Sequence, residues 1–242
     1  MNLSEILHHR RSVRVFDKQK PLDTEKVREC IELSTLAPNS SNMQLWEFYH
    51  ITDPELKEKV SHACLKQSAT STADQMVVFV TRQDLYKERA KGILAFEREN
   101  IKKYSPEERH AKRIKQREMY YGRIMPFLYS RFFGLLGFFR VLMTQTTGLF
   151  RTIVRQVSEN DMKVVIHKST ALAAQTFMIA MANEGYDTCP LEGFDSKVLK
   201  KALKLPRRAE INMVIACGVR DGNKGIWGER YRVPFEKVYR KL

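Results

Sequence analysis

Residues 76–81, Met-Val-Val-Phe-Val-Thr, form a compact apolar run with no charge in it. A half-buried strand alternates between polar and apolar residues; a short β-branched run without that alternation reads as a strand buried on both faces. Two further segments read as strands. Trp46–Thr52 alternates and is rich in aromatic and β-branched residues, and Ile211–Gly218 is a third apolar run. Helical signals surround them. Leu3–His9 is a short helix. Asp23 is an N-cap followed by Glu25, with apolar residues at helical spacing from Val27 to Leu36, and Pro38 ends that helix. Asp53-Pro54-Glu55 opens another, Leu85–Tyr121 is helical and charged, and Ser169–Glu184 is an apolar helix rich in alanine that Gly185 stops.

A chain of 242 residues that is 43% hydrophobic can bury a substantial core. The expectation is one domain over residues 1–242 with an inserted segment at about 85–157. The four cysteines, Cys30, Cys64, Cys189 and Cys217, are scattered, with no CxxC pair, so reduced thiols are expected and no metal. The N-terminus lacks the apolar core of a signal peptide, and no stretch of about 18 apolar residues free of charge occurs, so a cytoplasmic protein is expected.

The net charge of +14 is unevenly spread. Residues 82–123 hold 13 Lys/Arg against 7 Asp/Glu, and no acidic residue occurs from Met119 to Ser158. A solvated helical face is the plain reading of the Lys/Arg run. Ile124–Val157 is unusual: it is rich in Phe, Leu, Met and Gly, with Arg131, Arg140, Arg151 and Arg155 spaced through it. It is too charged to span a bilayer, and three readings stay open: a lid over an active site, a dimer arm, or a basic amphipathic helix on a membrane surface.

Two polar clusters carry the chemistry. Arg10-Arg11-Ser12-Val13-Arg14 is suited to a phosphate monoester, because guanidinium groups make bidentate charge-assisted contacts to phosphate oxygens. Ala37-Pro38-Asn39-Ser40-Ser41-Asn42-Met43-Gln44-Leu45-Trp46 places amide and hydroxyl side chains on a loop directly after a helix, where they could read the edge of a flat heterocycle or only brace the turn. Together they suggest a flavin mononucleotide (FMN) site.

Taken with Gly185-Tyr-Asp-Thr-Cys-Pro-Leu-Glu-Gly-Phe194 and Ala216-Cys217-Gly218, these clusters resemble, in content and order, the FMN-dependent nitroreductase family. The resemblance runs from Leu3 to about Glu236, apart from the Lys/Arg-rich stretch and residues 124–157. It implies an α+β, three-layer fold: a central, mainly antiparallel sheet flanked by helices, in a homodimer with FMN at the interface. It also implies a role for each matching residue. Arg10, Arg11, Ser12 and Arg14 would contact the FMN phosphate and the pyrimidine side of the ring. Pro38, Asn39, Ser40, Asn42 and Gln44 would lie against the flavin of the neighbouring subunit or of their own. Leu45 stands where the family usually has proline, which loosens that loop. Gln67 would place an amide near the ribityl chain or the pyrimidine. Pro190, Leu191, Glu192 and Gly193 would pack along the isoalloxazine, offering a backbone N–H to N5. Arg230 and Arg232 would close on the phosphate.

The activity implied is hydride transfer from NADH or NADPH through flavin N5 to a flat electron-poor acceptor such as a nitroaromatic or quinone, with ping-pong kinetics and no acid–base side chain required. Some family members dehalogenate instead. The competing reading, from charge alone, is a non-enzymatic binder of anionic membrane or nucleic acid; no specific nucleic-acid partner is expected, and peripheral membrane contact stays open.

Overall fold

A computed structural model describes residues 2–242. Strand β2 (Gln75–Thr81) is buried at every position. Antiparallel neighbours flank it: β1 (Trp46–Ile51) on one side and β4 (Glu210–Gly218) on the other, with β3 (Asp187–Leu191) completing the order β1-β2-β4-β3. All three pairings are antiparallel, as the resemblance implied. The sequence reading missed β3 as a strand because Pro190 sits in it. Proline is tolerated there because β3 is an edge strand.

Side chains of β2 alternate between two cores. Met76, Val78 and Val80 face α3 (Pro54–Ala63) and α10 (Ser196–Ala202) with Val60 and Leu199. Val77 and Phe79 face α2 (Thr24–Ser34) and α9 (Glu159–Asn183) with Val27, Phe177 and Met181. Residues of β4 follow the same division, with one interruption. Phe79 pairs with Met213 but Val80 pairs with Ile211, so Asn212 is an extra residue and the bulge turns Ile211 into the first core.

Helix starts follow local chemistry. Asn2 and Glu5 form a capping box at α1 (Leu3–His9), Asp23 caps α2 through the Glu25 and Lys26 amides, and Asp53 caps α3 with Pro54 in its first turn. Helix α9 begins at Glu159, ten residues before the sequence-based start at Ser169. Its true start is a capping box between Ser158 and Asp161, and the polar residues Lys163, His167 and Lys168 hid the periodicity. By length and composition α9 could cross a membrane, yet it is the core helix against the sheet, with Ala173, Ala174, Phe177 and Met181 fully buried.

The remaining helices are α4 (Ser68–Thr72), α5 (Tyr86–Tyr104), α6 (His110–Met119), α7 (Met125–Tyr129), α8 (Leu135–Thr147) and α11 (Phe235–Val238). The stretch expected as one long helix, Leu85–Tyr121, is divided at Ser105-Pro106, and a π-helical turn at Tyr120–Ile124 leads into α7. Between β2 and α9 the chain builds a third core, in which Ile93, Tyr121, Met125 and Tyr129 pack on Met43, Leu45, Met162 and Ile166.

Candidate functional site

The arginine cluster is laid along the free edge of β3. Val13 N–H donates to Thr188 O (3.1 Å), and Ser12 bridges Thr188 in parallel. The C-terminal tail then crosses this segment at Gly225, whose carbonyl accepts from Arg14 N–H (3.0 Å). A Cβ at Gly225 would stand 2.9 Å from Arg14 N and from Val15 O, so only glycine permits the crossing. The result is a cleft of about 220 Å³ lined by Arg10, Arg11, Ser12, Arg14, Arg230 and Arg232, with Trp227 and Tyr231 in its wall.

Five guanidinium groups therefore share one cleft, and among the described residues none of them is paired with a carboxylate. Backbone carbonyls and one ring hold four of them in place. Arg14 donates to Ser12 O (3.1 Å) and lies over Trp227, 4.6 Å from the ring centroid. Arg11 donates to Gly228 O (2.9 Å), and Arg232 to Tyr231 O (2.7 Å). Arg230 donates to Leu7 O (2.9 Å), His8 O (3.1 Å) and Arg10 O, capping the C-terminal end of α1. Burial, then Arg232 and Arg11, push the Arg10 pKa down; burial, then Arg10, Arg232 and Arg11, do the same to Arg230. An anion bearing more than one charge would relieve this repulsion, so the residues fit the phosphate of FMN.

From Ser12 the β3 edge leads to Pro190 and Leu191 and then to exposed Glu192 and Gly193. Gln67 meets this segment: its Nε2 donates to Gly193 O (3.0 Å) and Cys64 O (3.1 Å). A Cβ at Gly193 would meet only that Nε2, at 3.6 Å, so no packing within the chain demands glycine there.

The second cluster lies elsewhere in the chain. Pro38, Asn39 and Ser40 line a hollow of about 310 Å³ with Val165, Lys168 and Leu172 of α9, and it shares no residue with the arginine cleft. The loop is held in an unusual conformation, with Ser41 and Asn42 at φ 54° and Gln44 at φ 47°. Asn39 acts as its brace: Oδ1 accepts from Gln44 N–H (2.9 Å) and Nδ2 donates to Ala37 O (3.3 Å). Gln44 Nε2 in turn donates to Asn42 O and Oδ1, both 3.2 Å. Two tyrosines between β2 and α9 clamp the loop, Tyr120 Oη lying 2.7 Å from Ser41 Oγ and Tyr121 Oη donating to Ser41 O (3.1 Å). Leu45 does not leave the loop slack, contrary to the sequence expectation, because it is buried with Met43 against Tyr121 and Tyr129.

Residues 7–219 match the sequence profile described as the nitroreductase family. The chain belongs to that family. Protein DrgA of Synechocystis is 24% identical over 220 residues, spanning 91% of this chain and 85% of its own. "Putative NAD(P)H nitroreductase MhqN" of Bacillus subtilis is 22% identical over 216 residues, spanning 89% and 87%. Among solved structures, a "putative nitroreductase in complex with FMN" from Exiguobacterium sibiricum superposes with a TM-score of 0.68 at 19% identity, covering 100% of this chain and 98% of that one.

In this nitroreductase-family chain several residues that shape the cleft carried little sequence signal. Trp227 and Tyr231 could have been found as the aromatic residues interleaved with Gly225, Gly228, Arg230 and Arg232. Asp187 had no such marker. It is buried and accepts from Arg220 Nε (2.9 Å) and N–H (2.8 Å), while His9 Nε2 lies 3.8 Å away. That ion pair ties the end of α1 to the β3 and β4 ends beneath the cleft. His8 points instead to Ser4 O (2.7 Å), so the two adjacent histidines diverge.

Proposed function

We propose that this chain is an NAD(P)H-dependent FMN oxidoreductase that works as a homodimer and reduces a flat electron-poor acceptor, a nitroaromatic or a quinone. The observation that carries the reading is the cleft of five arginines, unpaired among the described residues, beside the edge of β3, the strand that runs on to Pro190 and Leu191. Arg10, Arg11, Ser12, Arg14 and Arg232 would hold the phosphate, while Arg230 fixes the wall through α1. Pro190, Leu191, Glu192 and Gly193 would support the ring, and Gln67 would keep the Gly193 carbonyl turned inward. FMN, when bound, supplies hydride acceptance and donation at N5. The protein's part is to bind, orient and exclude water.

The FMN-bound family structure and the names of the relatives support the cofactor and the electron donor. The separation of the two clusters supports the dimer. In one chain the Pro38–Gln44 loop faces a hollow against α9, beside the exposed apolar residues Leu33, Leu36 and Leu172. A second copy seated on that face would cover them and would bring its own clusters to the seam.

The test is the visible spectrum of the purified protein, followed by release of the chromophore and its mass. A yellow protein with about one FMN per chain is expected. A colourless protein that takes up no added FMN overturns the reading.

A further inference from the structure

Helix α8 is turned inside out. Its buried face consists of Gly137, Arg140 and Thr144, whereas Leu135, Phe138, Phe139, Leu142 and Met143 are half or more exposed. Phe133 and Phe150, just beyond its two ends, are 95% and 89% exposed. The inversion is built in. Arg140 is 1% exposed and donates to Val157 O (2.7 Å), Phe127 O (2.8 Å) and Ser130 O (3.1 Å), which locks the arginine inward. Gly137 lets α8 lie against Glu159, since a Cβ there would stand 3.1 Å from the Glu159 side chain. Helix position and packing thus present a contiguous apolar surface to solvent within Met119–Ser158, which has no acidic residue.

A cationic cleft adjoins this surface. It is lined by Phe132 and Phe133 together with Arg131, Lys200, Arg207 and Arg208, and has a volume of about 750 Å³. Its acids already have partners: Glu210 is paired with Lys163 (2.8 Å), His167 (3.2 Å) and Arg131 (3.4 Å), Asp84 with Arg82 (2.9 Å), and Glu159 accepts from Phe132 N–H (2.9 Å). Arg207 and Arg208 are exposed and, among the described residues, in no ion pair. Thirteen residues of helix reach about 20 Å, too short to span a bilayer and suited to lying in its interface.

We infer that the α8 face docks on an anionic lipid bilayer, with Phe132, Phe133, Phe138 and Phe139 entering the headgroup–acyl boundary and Arg207 and Arg208 meeting lipid phosphates. Aromatic insertion beside cations that lack counter-ions matches a surface that is both apolar and negative. A second copy of the chain has another face available, at Leu33, Leu36 and Leu172. The inference stands independently of flavin binding.

The experiment is flotation of the purified full-length protein with vesicles of phosphatidylcholine alone or mixed with phosphatidylglycerol, at low and moderate salt. The protein is expected to float with the anionic vesicles and to remain partly bound at moderate salt, because apolar insertion is not screened. F138S/F139S changes only exposed side chains; it should keep the melting temperature and lose about tenfold or more of the bound fraction. R207E/R208E should abolish the preference for anionic over neutral vesicles. The inference is overturned if the wild type stays unbound with both vesicle types or if F138S/F139S floats as the wild type does. It is equally overturned if F138S/F139S lowers the oligomeric state in light scattering without vesicles, which assigns the face to a second copy.

Discussion

Arg230 reaches across 223 residues of sequence to donate to the carbonyl of Leu7 at 2.9 Å. With its bonds to His8 O and Arg10 O, it fastens the C-terminal tail to the end of the first helix and fixes one wall of the arginine cleft. Its neighbour Arg10 shares that repulsion, with burial, then Arg232 and Arg11, opposing its charge, but among the described residues its side chain donates no hydrogen bond that fastens the fold. The two arginines should therefore separate in mutation. Arg230→Ala should lower the melting temperature of the FMN-free protein and weaken FMN as a consequence. Arg10→Ala should leave that melting temperature unchanged or raised, yet weaken FMN by about 10–100-fold, the range for losing charge-assisted bonds to phosphate. Thermal melts of the FMN-free protein and fluorescence titration with FMN check both.

Gly225→Ala should open the cleft without touching any arginine. The added methyl would collide with the backbone of Arg14 and Val15, which cannot yield as a flexible side chain would. We expect a stability loss of about 1–3 kcal/mol, faster cleavage of the tail in limited proteolysis, and loss of FMN retention. Survival of the protease pattern would contradict the crossing.

The bulge at Asn212 sets up a pH dependence. Glu210 is held down at about 2, against an ordinary 4.5, by the His167 hydrogen bond and by Lys163. Because its folded-state pKa lies below its unfolded value, the ionised carboxylate favours the fold above about pH 4.5, and that contribution fades as pH falls through about 2. Glu210→Gln should thus melt below the wild type at neutral pH, with the gap narrowing as pH drops from 4.5 toward 2. Melting curves across that range measure it.

Phe177 of α9 packs on Phe79 at the centre of the sheet, ring centroids 5.6 Å apart and both fully buried. Truncating Phe177 to alanine removes that contact and leaves a cavity in a core with helices close on either side. A loss of about 3–5 kcal/mol in urea unfolding is expected, with the FMN site affected only through global stability.

Much of the site was legible because its parts are local. Arg10, Arg11, Ser12 and Arg14 are consecutive or nearly so, and Asp23, Asp53 and Gly185 mark helix ends by chemistry that acts within a few residues. Asn39 shows where such reading stops. An amide in a loop can face a ligand or brace its own turn, and only the Gln44 N–H and Ala37 O contacts reveal the brace. Residues 124–157 were legible in composition but not in orientation. Spaced arginines beside phenylalanines suggest a helix with its cations in water, and the structure places Arg140 inside and the phenylalanines outside.

What the sequence by itself determined was strands β1, β2 and β4, helices α1, α2 and α3, the two-faced burial of Met76–Thr81, and the family. All of these rest on periodicity, capping and ordered motifs that need no distant partner. Tertiary structure alone decided which arginine of the cleft braces α1, the strand character of Asp187–Leu191 around Pro190, the Asp187–Arg220 ion pair, and the direction of α8. Each of those depends on contacts between residues far apart in the chain, where the same side chain has several possible partners and packing selects one.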